Sequence, residues 1–246
     1  MDINNIFENI DFKIKPNQDY RKEYLFRAKK SIYKIFNKEI NFLFSNLIIK
    51  KEENSDTILK KELLKIEGMS TFAIGYIINK ICQKLKSDEN YINIGVWKGF
   101  SLIAGMINTN CSVYGVDNFS EFGGPKDELI KNFDSLKNSK KHYFYDCDYR
   151  DFFKSYEKLN KSIDFYYYDG EHSYTNHFEN LIIAKNFFKK GTIILVDDIN
   201  FEPVESGTKD FLSKYENEFK VLKEIKTSNN HGHPSYWNGL MIFKKK

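Results

Sequence analysis

Two rhythms of apolar and polar positions divide the chain. From Arg21 to Phe36, the apolar Leu25, Ala28, Ile32 and Phe36 recur at helical spacing. The apolar run Phe42–Ile49 is ambiguous and reads as a continued helix. Ser55 and Asp56 are capping residues ahead of Ile58, Leu59, Leu63 and Ile66, and Gly68 stops that helix. Ser70 and Thr71 open a third, with Phe72, Ile77, Ile78, Ile81 and Leu85 on its apolar face. The first 20 residues are polar and mixed and read as a loosely packed arm. The pattern predicts a helical extension over residues 1–87, fit for a cap or an oligomer interface.

After Lys86-Ser87-Asp88 the period changes. Short apolar runs at Tyr91–Ile94, Ser112–Val116, His142–Tyr145, Ile163–Tyr168 and Thr192–Val196 predict strands. Between and after them, Ser101–Ile107, Asp127–Leu136, Phe152–Leu159, Asn176–Phe188 and Thr208–Tyr215 predict helices. Phe219–Ile225 and Leu240–Phe243 predict a closing antiparallel hairpin at one edge. Alternating strands and helices imply right-handed crossovers, hence an α/β fold with a mostly parallel, doubly wound sheet and helices on both faces. Residues 88–246 form that domain.

Composition removes several function classes. With 41% hydrophobic and 29% charged residues, the chain is folded rather than disordered. The net charge of +4 is modest, and its lysines are dispersed. Neither a concentrated basic face nor a base-flipping motif points to nucleic acid. No stretch approaches a membrane span. The first 16 residues, with Asp2, Glu8 and Asp11, are expected not to be a signal peptide. Cys82, Cys111 and Cys147 lack CxxC spacing and fit thiols of a reducing compartment, so a cytoplasmic setting is expected.

The candidate chemistry lies at the strand ends. Tyr91–Ser101 reads as strand, glycine turn and helix start, the arrangement that offers backbone N–H groups to a cofactor. Taken alone, it is equally a plain strand-to-helix connection. Four consecutive strands end in acid, at Asp117, Asp148, Asp169 and Asp197-Asp198. All of these acids fall on the carboxyl edge, where open α/β sheets bind ligands. Any one of them also reads as a helix N-cap, but the adjacent pair does not. Asp117 follows Gly95 at about the 20-residue spacing of a ribose-binding acid. The turn Gly95-Val96-Trp97-Lys98-Gly99 lacks GxGxxG and carries bulky side chains, which suits a ligand without a pyrophosphate, such as S-adenosylmethionine (SAM). Asp148 is placed to accept from an adenine amine, with Cys147 and Tyr149 lining the pocket. Asp169, Asp197 and Asp198 on neighbouring strands would repel one another unless a cation sat between them, and a hard divalent ion such as Mg²⁺ is the economical answer. His172 is a candidate general base, or else a loop histidine that caps a helix.

Four stretches carry a resemblance. They are Tyr91–Ser101, Val113–Pro125, Phe165–Tyr174 and Gly191–Asp198. Together the chain resembles the class I SAM-dependent methyltransferases, and within them the family that includes macrolide-sugar and surface-glycan O-methyltransferases. The resemblance implies a Rossmann-like seven-stranded sheet with the last two strands antiparallel. It implies SAM held by the Gly95–Gly99 turn, with Asp117 on the ribose; Val96, Trp97, Ser101 and Asn118 are further candidate cofactor contacts. It also implies acids matching Asp169, Asp197 and Asp198 as metal ligands, with Asp169 a candidate base. Where such chains often carry an acid, this one has Asn93, whose amide can hold the turn or bond the SAM amine. The loop Asn118–Lys126 is suited to closing over a site, and also to plain surface connection. His231 and His233 read as a hairpin loop near the substrate mouth before they read as a metal pair, and Tyr236 and Trp237 as sugar-stacking aromatics or as core.

The expectation is a SAM-dependent O-methyltransferase acting on a small acceptor, a sugar or surface-glycan precursor, with Mg²⁺ or another divalent cation. Its rivals are a non-methylating Rossmann-like enzyme of sugar modification and a non-catalytic SAM-binding assembly protein.

Overall fold

The structure, a computed structural model, describes residues 3–20, 45–137, 140–229 and 232–246. The helix expected over Arg21–Phe36 and the start of the run Phe42–Ile49 lie outside them.

The sheet has seven strands: β3 (Asn90–Ile94), β4 (Ser112–Asp117), β5 (His142–Asp146), β6 (Ile163–Tyr168), β7 (Phe188–Asp197), β8 (Phe219–Ile225) and β9 (Leu240–Lys245). Their order is β5-β4-β3-β6-β7-β9-β8. The chain builds outward from β3 through β4 to β5, then crosses back to β6 and β7 on the other side of β3. Ligands of open sheets bind at such a reversal, here the carboxyl ends of β3 and β6. Strands β3 to β7 are parallel, and β9 runs against β7 and β8 as the closing hairpin.

The central strands are apolar on successive residues because both faces are covered. Tyr91, Phe165, Tyr167, Ile193, Leu195 and Ile242 face one core cluster, and Ile92, Tyr166, Tyr168, Ile194, Val196 and Met241 the other. The first face carries α3 (Phe72–Gln83), α4 (Phe100–Met106) and α5 (Lys126–Leu136). The second carries α6 (Tyr149–Glu157), α7 (Tyr174–Lys185) and α8 (Glu202–Lys214). Helix α7 ends at Lys185, before the expected limit of Phe188. Phe188 instead begins β7, where it packs against Tyr166 and Phe219.

The first 20 residues are not a loose arm. They form α1 (Asn4–Glu8) and β1 (Ile10–Phe12), and β1 pairs with β2 (Leu47–Ile49), which is extended where a helix was expected. Ile3, Ile6, Ile10 and Phe12 join the same core cluster as α2 (Asn54–Leu63), α3 and the sheet. Asn46 bonds both backbone groups of Ile14, at 2.9 and 3.2 Å. These isoleucines alternate with charges, so a polar average hid a buried face. Helix α2 starts one position earlier than Ser55, with Glu53 as N-cap in a reciprocal box with Asp56.

Phe12→Ala is expected to lower stability by about 3 kcal/mol, since Phe12 is buried edge-on to Tyr236 with ring centroids 4.8 Å apart. Chemical denaturation checks this; a change below about 0.5 kcal/mol is what a loose arm would give.

Candidate active site

Strand β3 ends at a backbone crossing that admits only glycine. Gly95 has φ +81°, and a Cβ there would overlap the carbonyl oxygen of Asp169. The N–H of Gly95 bonds the Val116 carbonyl at 2.9 Å, and that of Asp169 bonds the Ile94 carbonyl at 2.9 Å. The turn is thus sewn to both neighbouring strands. Trp97 takes a left-handed conformation, φ 44°, and Gly99, φ 97°, caps α4.

Asp117 organises this turn. Its Oδ2 accepts the N–H groups of Val96 (2.9 Å) and Trp97 (2.8 Å), and its Oδ1 accepts that of Phe119 (2.7 Å). A carboxylate offers about four acceptor positions, so with three taken about one remains for a ribose hydroxyl.

A cleft of about 490 Å³ opens above these elements. Gly95, Val96, Trp97, Ser101, Asp117, Asn118, Asp148, Tyr149, Asp169, His172 and Asp198 all line it. Three expected residues do not. Gly99 is spent on the turn. Asn93 is fully buried; its amide donates to Ser101 Oγ at 2.7 Å, so it braces the first turn of α4 and leaves no side chain in the cleft. Asp197 is the third.

Asp197 and Asp198 diverge although adjacent. Asp197 continues β7 and is buried, accepting the Tyr167 hydroxyl on one oxygen and the Asp198 N–H (3.0 Å) on the other. Burial, with the charges of Asp169 and Asp198, pushes its carboxyl well above the usual range. Asp198 turns out of the strand with φ 59° and aims its carboxylate at the cleft. The expected trio Asp169, Asp197 and Asp198 is therefore replaced by Asp169, His172 and Asp198, whose ligand atoms lie within 4.8 Å of one another.

His172 Nε2 sits 2.8 Å from Asp198 Oδ2 and 4.0 Å from Asp169 Oδ1. Its ring stacks on Phe201 with centroids 5.3 Å apart. Burial alone would depress it, but hydrogen bonds and charges from Asp169 and Asp198 outweigh that and raise it to about 10. Burial raises Asp169 to about 6, with Asp198 adding to the rise and His172 opposing it. His172 thus places a protonatable group between the two carboxylates. Asp198 Oδ1 is buried with no hydrogen-bond partner.

Asp148 caps α6, accepting the Arg150 N–H at 2.8 Å, with the Arg150 guanidinium 3.4 Å from its other oxygen. Tyr149 donates to Asn176 at 3.3 Å. Asn118 folds back on Ser120. His233 is pinned away from any ligand role, its Nδ1 2.7 Å from Ser235 Oγ and its Nε2 2.9 Å from the Gln18 carbonyl. His231 lies outside the described residues. Tyr236 is core, whereas Trp237 lines the cleft.

Sequence reasoning missed Glu121, Phe122, Glu171, Phe201 and Met69 on the cleft wall. They lie in loops, where no period marks a direction. It also missed His177, fully buried behind His172 with ring centroids 6.4 Å apart and held neutral, at about 3, by burial and the His172 charge.

Residues 92–199 match the model of a family described as a methyltransferase domain. The comparison with curated proteins found no match. Among solved structures, an O-methyltransferase from Bacillus cereus in complex with SAH is similar with a TM-score of 0.59 at 11% identity, over 90% of this chain and 100% of that one. A putative O-methyltransferase from Klebsiella pneumoniae gives 0.58 at 10%, over 91% and 100%. The O-methyltransferase TomG from Streptomyces achromogenes, involved in tomaymycin synthesis and solved with SAM, gives 0.54 at 8%, over 80% and 91%. At these identities the likeness is one of fold.

Gly95 and Gly123 both have positive φ, but nothing lies within 4 Å of a Cβ at Gly123. Gly123→Ala is expected to cost about 1–2 kcal/mol from backbone strain, and Gly95→Ala clearly more, because the Asp169 backbone must also move. Paired denaturation curves check the difference; equal losses would remove the crossing as a constraint.

Proposed function

We infer that this chain, a class I SAM-dependent methyltransferase by its fold and by the domain at residues 92–199, transfers a methyl group to a hydroxyl of a small acceptor, a sugar or glycan precursor being the class first considered. One observation carries the reading: the turn held by Asp117 and the cluster Asp169, His172 and Asp198 border one cleft at the switch point of the sheet.

The residues fit the cofactor. The cleft volume is that of a small-molecule site. The Gly95–Trp97 backbone is open to close approach, Asp117 has about one spare acceptor position for a ribose hydroxyl, and Tyr149 and Cys147 form a wall for an adenine. Bound SAM supplies an electrophilic methyl group on a sulfonium. The chain's part is to align the acceptor oxygen with it and exclude water, and such positioning accounts for much of the rate. Asp169 takes the hydroxyl proton as the oxygen–carbon bond forms, SAH being left behind. A carboxyl at about 6 is ionised at neutral pH yet basic enough to accept that proton. His172, at about 10, is a cation there and stabilises the developing negative oxygen instead of serving as base.

A second reading rests on the same cluster. Two carboxylates and an imidazole within 4.8 Å, with Asp198 Oδ1 buried and unpartnered, form a donor set that fits a divalent cation. Asp169, His172 and Asp198 would hold Mg²⁺ or a transition ion, which would supply Lewis acidity to the acceptor oxygen. Of the two, the nitrogen donor favours the transition ion.

Calorimetry is expected to show SAH binding and no NAD binding; the reverse would sink the methyl-donor reading. With an acceptor in hand, kcat/KM is expected to rise through about pH 6, as Asp169 loses its proton, and to fall through about pH 10, as His172 loses its own. Asp169→Asn is expected to lower kcat about 100-fold or more while SAH still binds. Turnover undiminished by EDTA would leave His172 as the cation of the site and dismiss the metal.

A further inference from the structure

We propose that the acceptor subsite selects a hydroxylated molecule bearing a protonated amine and no phosphate or carboxylate. The proposal rests on the methyl-transfer reading and concerns what that cleft admits besides SAM.

Charge is the first ground. Six acids line the cleft, Asp117, Glu121, Asp148, Asp169, Glu171 and Asp198, and among the described residues no Lys or Arg does. Among the described residues, the cations beside the lining residues are engaged by other acids. Lys98 pairs with Glu67 at 2.7 Å, Lys126 with Asp146, and Arg150 with Glu179 at 2.6 Å while also touching Asp148. Crediting the cleft with Arg150, an imidazolium at His172 and the single net positive charge of SAM still leaves three negative charges. A divalent ion replacing the His172 proton leaves two. The sign does not depend on which reading of the cluster holds. A concave site of one sign focuses its field and repels like charge.

The aromatic wall is the second ground. Trp97, Phe122, Phe201 and Trp237 all face the cleft. Phe122 stands 57% exposed, held there as the Trp97 indole N–H donates to its carbonyl at 3.2 Å. Aromatic faces attract an ammonium and give a phosphate nothing. The unpartnered Asp198 Oδ1 adds a buried acceptor that calls for a hydroxyl or ammonium donor.

The chain has only two tryptophans, and both line the cleft, so tryptophan emission, excited beyond the tyrosine absorption, reads this site alone. The SAH titration comes first; an unchanged emission counts against the cofactor reading alone, since the unliganded cleft still reports its potential. Quenching by iodide and by caesium at matched ionic strength then measures the sign of the field. The iodide-to-caesium ratio is expected several-fold below that of free N-acetyltryptophanamide, and Glu121→Lys with Glu171→Lys should return it towards that value. A ratio at or above the free value overturns the proposal. Against caesium quenching of the SAH-loaded protein, ethanolamine is expected to protect at concentrations about tenfold below ethylene glycol, and glycolate not at all. Protection by glycolate equal to that by ethanolamine, or none by ethanolamine, also overturns it.

Discussion

The structure turns on one close passage, where the Gly95 backbone crosses the Asp169 carbonyl with no room for a side chain. That crossing sits where the strand order reverses, so it joins the half of the sheet built as β3-β4-β5 to the half built as β6-β7. It brings the Gly95–Trp97 turn and the cluster of Asp169, His172 and Asp198 to one cleft. Asp117 completes the join from the other side, its three backbone bonds fixing the turn before any ligand arrives. A site whose donors are already oriented loses little on reorganisation when it works.

The second constraint is the concentration of negative charge along the carboxyl edge. The protein meets it in two ways. One acid, Asp197, is taken out of the cleft and given a phenol and an amide as partners. The remaining two share an imidazole. The carboxyl is raised towards neutrality and the imidazole away from it, so burial and mutual charge displace the two in opposite functional senses.

Much of this was legible from the chain alone. The period change after Lys86, the order of strands and helices and the row of strand-terminal acids are properties of spacing, and spacing survives folding. The acids' directions are not. Asp197 and Asp198 differ by one residue and one backbone conformation, and a φ of 59° at a non-glycine residue leaves no mark in the sequence. Asn93 read as a cofactor contact because its position does; its side chain alternates onto the sheet face beneath α4. Nor does spacing show that His172, three residues beyond Asp169, stands between the carboxylates of Asp169 and Asp198. The opening residues misled for a simpler reason. Four isoleucines and a phenylalanine spread among charges have no period long enough to register, and their partners lie far away in sequence.

That distance matters for how the protein comes into being. Ser228 donates through its backbone to Pro16 and through its hydroxyl to Gln18, His233 reaches the Gln18 carbonyl, and Thr71 holds the Ser235 carbonyl at 2.6 Å. Residues 16–18 and 71 thus bind residues 228–235. The strand β1 pairs early, with β2, and packs with α2 and α3, whereas the Pro16–Gln18 stretch meets its partners only once residues 228–235 are made. Such contacts are the slow ones to form. A chain cut before residue 228 would keep β1 on β2 and lose the bonds that Pro16 and Gln18 accept, so the first to loosen would be the stretch that follows β1.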